Sequence, residues 1–452
     1  MSSPLDCPGY DGQQLVGATL APRGDSCYAP AQTTIKRPLI LSWILPPGVL
    51  PDARLLLAAR GLRAFGDGYV SLLLPYYLIL LGYGALEIGA IVTATLLDSG
   101  FLTLGAGLIA HRYRQRNLLK SAAVLMMATG IAFVVATDFW PLLIIATVGT
   151  LNPSAGEVSV FGPLEHAMLT RTVNADQRTA LFARYSLTGA LIAAIGAQAA
   201  ALPAIGQQWL ALDLKLAVQM MFLGYGVLGL GCLLLYRRLS PQMEPPAAAP
   251  STPLGKSKRT VYTLAAIFSL DSFGGGFAVQ SLLALWLFDR FQLSVADAAS
   301  IFFWTGILSA LSQLAAAPLA RRFGLINTMV FTHLPSNIFL ILVPLMPNLP
   351  LALLFLMLRF ALSQMDVPAR SSYVMAVVTP GERAAAASVT AVPRTFAAAV
   401  SPLFAGWLLT LSSFGWPLII CGGLKIVYDL ALLRMFRHVR PPEEPTAREG
   451  KT

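Results

Sequence analysis

Apolar residues run through this chain in long, unbroken blocks rather than in the short alternating runs of strands. Twelve blocks stand out: Arg54–Leu80, Leu86–Ile109, Asn117–Thr137, Pro141–Leu169, Thr179–Ala201, Leu212–Tyr236, Thr260–Phe288, Ala296–Leu319, Ile326–Met346, Leu351–Val378, Glu382–Thr410 and Trp416–Phe436. Each is about 20 residues or more, the length an α-helix needs to cross a bilayer. Buried strands of a soluble α/β protein would give apolar runs of about 4–8 residues. A transmembrane barrel would give alternating segments of about ten. Neither occurs, and the hydrocarbon layer has no water to satisfy an open backbone. The pattern therefore predicts an all-α polytopic membrane protein with twelve spans.

One polar break divides the blocks six and six: YRRLSPQMEPPAAAPSTPLGKSKR, Tyr236–Arg259. Its proline and alanine content cannot build a core and reads as an extended linker. The predicted organisation is a tail over 1–53, a six-helix bundle over 54–236, a linker over 237–259, a second six-helix bundle over 260–436 and a tail over 437–452. The first 35 residues are expected to be disordered, with no cleaved signal peptide. Pro38–Leu50 is too short to span and fits an interfacial segment.

Composition strengthens the membrane reading. Of 452 residues, 56% are apolar and 12% charged, with mean hydropathy +0.66. Soluble domains carry about 25% charged residues. The net charge of +10 does not point to nucleic acid, because of where the cations lie. The loops on the linker's side, from Arg112 to Arg383, hold 14 Lys and Arg, and the opposite loops hold only Lys215 and Arg290. By the positive-inside rule both termini and the linker are cytoplasmic, in a cytoplasmic (inner) membrane. Cys7, Cys27, Cys232 and Cys421 lack metal-ligand spacing, and the four histidines are scattered. No metal or cofactor is expected. A monomer contacting membrane lipid, protons and a small solute is.

The halves repeat one design. Phe65-Gly66-Asp67-Gly68-Tyr69 matches Phe273-Gly274-Gly275-Gly276-Phe277 at a shift of 208. His111-Arg112-Tyr113-Arg114 matches Arg321-Arg322-Phe323-Gly324 at 210, and Pro163 matches Pro368 at 205. Asp176-Gln177-Arg178 matches Gly381-Glu382-Arg383, also at 205. Parallel repeats of six spans, related by an axis along the membrane normal, enclose a central site between them.

At this point the chain resembles the major facilitator superfamily of secondary transporters, over about Arg54 to Arg440. The family's loop between spans 2 and 3 has the form G-x-x-x-D-R-x-G-R-R/K. Here it reads Gly107-Leu-Ile-Ala-His111-Arg112-Tyr-Arg114-Gln115-Arg116, with His111 in place of the acid. The resemblance implies that this loop latches the halves in one state, and that without its Asp the latch is weaker or differently paired. The glycine-proline motif of the family's drug antiporters is missing, since span 5 has Gly189 and Gly196 but no proline.

Ionisable residues inside a membrane are costly and default to function. Arg60, Arg63 and Asp67 recur at helical spacing on one face of span 1, so Asp67 reads as a proton-titrating acid held by arginines. Asp98, Glu157 and Asp271 are further proton-coupling candidates, and Glu165 reads as structural. Arg63, Tyr76, Arg359, Arg394 and Lys425 are candidates for binding substrate. For Lys425 an i,i+4 pair with Asp429 competes with that role. His111, Arg112, Arg116, Asp366, Arg370 and Glu382 are gating candidates, with Gln364 beside them. The implied function is secondary active transport of a small solute by alternating access, coupled to H⁺, with export preferred by analogy with the family's exporters. The alternative is a solute sensor that kept the fold and lost turnover. No nucleotide-binding loop or catalytic triad supports an ATP-driven pump or an enzyme.

Overall fold

The computed structural model describes residues 51–109, 113–154, 160–170, 172, 178–243, 254–255, 257–379 and 382–436. The tails, the middle of the linker, His111, Arg112 and Glu157 lie outside the described residues. The described chain is all-helical: α1 Pro51–Leu80, α2 Ala85–Ile109, α3 Gln115–Val135, α4 Phe139–Val148, α5 Phe161–Leu169, α6 Arg178–Ala199, α7 Leu202–Leu210 and α8 Leu214–Arg237. After the linker come α9 Lys258–Gly276, α10 Gln280–Phe291, α11 Val295–Phe323, α12 Leu325–Leu342, α13 Leu349–Leu362, α14 Asp366–Ala376, α15 Arg383–Leu411 and α16 Trp416–Phe436. Among the described residues, ten stretches are long and apolar enough to cross a membrane. Large apolar side chains such as Val135, Ile144, Val227 and Phe331 are exposed on the outside, as lipid contact requires.

Three predicted spans are not single helices. The fourth is α4 and α5, the seventh α9 and α10, the tenth α13 and α14. In each case the apolar run continues while the helix stops. Asn152-Pro153 lies in the first break, where Asn152 Oδ1 accepts from the backbone of Ser154. The second break follows three successive glycines, Gly274–Gly276. Helix α7 is an addition the pattern did not reveal. It sits on the face opposite the linker with Trp209 and Leu210 exposed, an arrangement suited to the bilayer interface. Helix starts elsewhere follow local chemistry. Ser294 and Asp297 form a capping box on α11, and Asp213 and Asn348 cap α8 and α13.

The packing repeats six spans apart. Helix α1 lies along α6 and α8, as α9 lies along α15 and α16; α3 packs on α8, as α12 packs on α16. The glycines explain the closest contacts. A side chain at Gly68 would run into the Ala193 carbonyl of α6, and one at Gly276 into the Ala398 carbonyl of α15. These partners are separated by 208 and 205 residues, the shifts seen in the sequence.

Between the halves, α2 packs on α15 and α6 on α11. On the face away from the linker, one apolar core contains Tyr77, Phe222, Trp286 and Leu418, drawn from both halves. Towards the linker it divides. One core contains only residues up to Met243, among them Leu56, Leu164 and Tyr236, and the other only residues from Leu254 onward, among them Phe268, Met329 and Tyr428. Polar cross-contacts follow the same division. Gln280 donates to Ser71 Oγ (2.9 Å), and the Ser281 amide donates to the Pro153 carbonyl (3.2 Å).

Replacing Gly276 by Val is expected to destabilise the detergent-solubilised protein by about 1–3 kcal/mol through overpacking. Gly423→Val, where a Cβ meets nothing within 4 Å, should change the thermal midpoint far less. Equal effects in a melting assay would contradict the assigned α9–α15 contact.

Candidate transport site

Each half carries a buried ion pair that has its counterpart in the other, and the two occupy equivalent positions with their charges exchanged. In the first, Arg63 on α1 pairs with Glu165 on α5. In the second, Asp271 on α9 accepts from Arg370 on α14 at 3.0 Å. The shift of 208 carries Arg63 to Asp271, and the shift of 205 carries Glu165 to Arg370. The same arithmetic, applied to these residues, is the sequence signal that would have revealed both pairs.

Around Glu165 the satisfaction is dense. Tyr185 donates to one carboxylate oxygen and Tyr236 to the other, the latter at 2.6 Å. The Arg63 guanidinium lies over the Phe161 ring at 4.2 Å. Arg63 therefore forms its ion pair with Glu165 and not with Asp67, on which its charge and that of Arg60 act from beyond contact, and this corrects the reading drawn from one helical face. The reason is direction: a side chain's neighbours across the interface are set by helix rotation, not by spacing along its own helix. Arg60 points elsewhere too. Its guanidinium crosses Gly189 on α6, where any side chain would collide, and sits 5.4 Å from the Tyr185 ring centre. Glu165, read as structural, is the centre of this cluster.

Asp67 is 4% exposed and makes no ion pair within 4.0 Å among the described residues. Asp98 on α2 is also buried, and its Oδ2 has no hydrogen-bond partner among the described residues. These two carboxyl groups contrast with Asp271, which holds two cations.

The second cluster is larger. Asp271 Oδ1 accepts from Lys425 Nζ at 2.7 Å, Oδ2 from Arg370, and Arg370 also pairs with Asp366 one turn away. The expected i,i+4 pair of Lys425 with Asp429 is not formed. Asp429 instead receives His333 at 2.9 Å and Asn337 at 3.1 Å from α12. Neither His333 nor Asn337 was marked by any motif, since a lone histidine in an apolar helix carries no local signature. Arg394, half-buried on α15, makes no ion pair among the described residues and lies in the field of Arg370, Asp271 and Asp366.

The remaining candidates scatter. Tyr76 packs against Phe288 across the halves, 5.8 Å between ring centres. Arg359 lies over Phe360 at 4.5 Å. Arg116 reaches the carbonyl of Arg237 at 3.5 Å. Glu382 does not join Asp366 and Arg370. Its carboxylate accepts from the Gly255 amide and from Thr379 (2.9 Å), so it fastens the end of the linker. Asp52 does the same for its beginning, accepting from the amide and hydroxyl of Ser240 at 2.9 and 2.8 Å.

With helices of this length, a lipid-facing exterior and ionic clusters buried in each half, the chain is a multi-pass membrane protein of the transporter type. Residues 56–362 and 264–452 match the model of the Major Facilitator Superfamily, and the chain belongs to that family. Its members are secondary transporters that move small solutes by alternating access, which is also why no catalytic centre is needed. Over 420 residues the chain is 27% identical to the uncharacterized membrane protein YJR124C of Saccharomyces cerevisiae, covering 85% of this chain and 94% of that one. Its fold is similar to that of a bacterial homolog of the human lysosomal transporter Spinster, in an inward-facing and occupied conformation (TM-score 0.67, 15% identity, 85% and 97% of the two chains). It is similar also to the nucleoside transporter NupG (0.63, 16%, 86% and 100%) and the human organic anion transporter MFSD10 (0.61, 16%, 85% and 100%).

Two predictions follow from the clusters. Glu165→Gln leaves Arg63 buried without a carboxylate and should cost about 3–5 kcal/mol, read as a fall in thermal midpoint. Exchanging the pair, Arg63→Glu with Glu165→Arg, should recover part of that loss, because the other repeat already uses the reverse order. A double variant no more stable than Glu165→Gln would contradict the equivalence. At the linker, the Gly255 amide, with help from Ser257 and Thr379, holds the Glu382 carboxyl at about 2, below its ordinary 4.5. The group is depressed, so its contribution is complete above about pH 4.5 and is lost as the pH falls through about 2. Amide-exchange protection at Gly255 should decline over that window in the wild type and be absent in Glu382→Ala at every pH.

Proposed function

We propose that the protein is a proton-coupled transporter whose proton sites include Asp67 and Asp98, with both termini and the linker on the cytoplasmic side. The observation that carries this reading is Asp67, a buried carboxyl at the centre of α1 whose nearest helical arginine is already committed to Glu165. A carboxylate without a counter-ion is expensive to bury. Exchange of a proton as access alternates removes that cost at each turnover. The flanking Gly66 and Gly68 bring α8 and α6 against this point, so movement of either helix changes the environment of Asp67. Asp98 offers a second such group on α2, the helix that packs on α15 across the halves.

The substrate sits between the halves in this reading, with Arg394 as its main cationic contact. Arg63 and Lys425 are each held by a carboxylate, so they serve the clusters first. Arg359 and Tyr76 supply secondary contacts. The shared apolar core opposite the linker and the divided cores beside it fit a state closed on the outer side. Opening there requires breaking the Gln280–Ser71 and Ser281–Pro153 bonds, and closing on the linker side requires new contacts between the halves. Export is the preferred direction by analogy with the family's exporters. The two fastened ends of the linker, at Asp52 and Glu382, let each half move as a unit.

In proteoliposomes with an imposed pH gradient, screened with labelled solutes, the wild type should accumulate its substrate against its gradient. Asp67→Asn should lose accumulation by at least tenfold while retaining assembly and substrate exchange without a net gradient, a loss of about 1.4 kcal/mol or more in coupling. Undiminished accumulation in Asp67→Asn would remove Asp67 from the mechanism.

A further inference from the structure

The second cluster contains a histidine with no place in the scheme above. His333 on α12 is 4% exposed. Its two ring nitrogens face two different carboxylates: Nδ1 lies 2.9 Å from Asp429 Oδ1, and Nε2 lies 4.0 Å from Asp271 Oδ1. We propose that Asp429, His333 and Asp271 form a proton relay, in which His333 Nε2 takes up the proton and hands it to Asp271 when the halves rearrange.

The relay assigns the roles with Asp429 ionised. Asp429 is an acceptor, so the Nδ1 side of the ring shares a proton with it. Asn337 completes Asp429 by donating from Nδ2 to its other oxygen at 3.1 Å. That Asn337 nitrogen is also 3.2 Å from His333 Nδ1, but Nδ1 is committed to Asp429 and has no lone pair to offer it. The nitrogen left to gain or lose a proton is Nε2, on the side of Asp271. This is the arrangement in which a carboxylate sets the tautomer of an imidazole and leaves its other nitrogen for proton exchange.

Charge balance gives the relay its reason. The ion-paired residues are Asp271, Asp366 and Asp429 against Arg370 and Lys425. With His333 neutral, the three acids exceed the two bases by one charge. A proton on Nε2 makes the set neutral, and a neutral set is the cheaper one to bury. Tyr428 of α16 faces the ring edge-on at 5.8 Å. From α13, Arg359 offers its backbone carbonyl to Ser336. The charged residues of α11 (Asp297, Arg321 and Arg322) are exposed at its ends. Arg394 on α15 is a further cation in the field of the cluster, so the deficit belongs to the ion-paired set with Arg394 withdrawn, as when it engages substrate.

The 4.0 Å separation shows why the handover waits. It is too long for a hydrogen bond, and both oxygens of Asp271 are occupied, Oδ1 by Lys425 and Oδ2 by Arg370. A movement of α14 or α16 that releases one of these cations frees a carboxylate oxygen. The proton then passes from Nε2 to Asp271, leaving a neutral imidazole and a neutral carboxyl group. No other reactant is consumed. The role of this relay in transport rests on the proton-coupled reading, but its titration does not.

The test is nitrogen NMR of the full-length protein in lipid nanodiscs, with ¹⁵N-labelled histidine and no added solute. The chain has four histidines, and His333→Gln identifies the relevant signals by their loss. The expected result is a ring whose Nδ1 stays protonated while Nε2 passes between bare and protonated forms as the pH is varied. Asp429→Asn and Asp271→Asn should each move that midpoint by about one pH unit or more. Should His333→Gln fail to fold, the signal that responds to both aspartate variants supplies the identification. A ring locked in one form over the whole range, or a midpoint unmoved by both aspartate variants, overturns the proposal. Failure of proton coupling itself would appear separately, as absent gradient-driven flux in the wild type.

Discussion

A charge inside a membrane protein must be balanced within a few ångströms, and the architecture of this chain is arranged around that requirement. Arg63–Glu165 joins α1 to α5, and Asp271–Arg370 joins α9 to α14, in both cases linking the first span of a half to the linker-side part of a broken span. The two pairs stand at equivalent positions with opposite polarity. A repeat therefore conserves the site of an ion pair, not the sign at either end, because the low-dielectric interior requires only that the sum vanish. Tyr185 and Tyr236 complete the first pair with hydroxyls, and Lys425 and Asp366 complete the second with further charges. The first pair is thus fully satisfied within its own cluster. The second holds more charges, more alternative partners and a histidine.

That asymmetry suits a division of labour. In the first half the buried carboxyl groups outside the ion pair include Asp98 on α2 and Asp67, the latter held in a glycine-lined contact of α1 with α6 and α8. In the second half Asp271 sits between two cations, with His333 beyond hydrogen-bond reach. The position matching Asp67 is Gly275, against which Lys425 packs. Both halves meet in one apolar core on the side away from the linker and separate into two towards it. Rocking about such a seam changes the surroundings of the central charges more than it changes the helices themselves.

Much of this was legible in the sequence, and the limits have physical causes. The helical class, the linker and the repeat follow from long apolar blocks and from glycines recurring at 208, which the structure shows packing at Ala193 and Ala398. Asp366 and Arg370 were grouped among the gating candidates, and they pair by the i,i+4 rule. The same rule misled at Lys425 and Asp429, because each found a better partner on another helix. Hydropathy also hid the breaks at the fourth, seventh and tenth spans, since an apolar residue scores alike whether its backbone is helical or not. Asn152-Pro153 and Gly274–Gly276 were the local warnings. His333 and Glu165 could not be ranked without knowing which helices touch.

In the proposed mechanism, protonation of the buried acids and closure of the face opposite the linker are one process. Gln198 on α6 and Ser300 on α11 are exposed and lie 3.5 Å apart across that face, so spin labels at these positions report its opening. Electron–electron distance measurement in nanodiscs should give a short and a long population whose ratio shifts with pH in the wild type and is fixed in Asp67→Asn. A single short distance at every pH, in the wild type as in the variant, would contradict the claim.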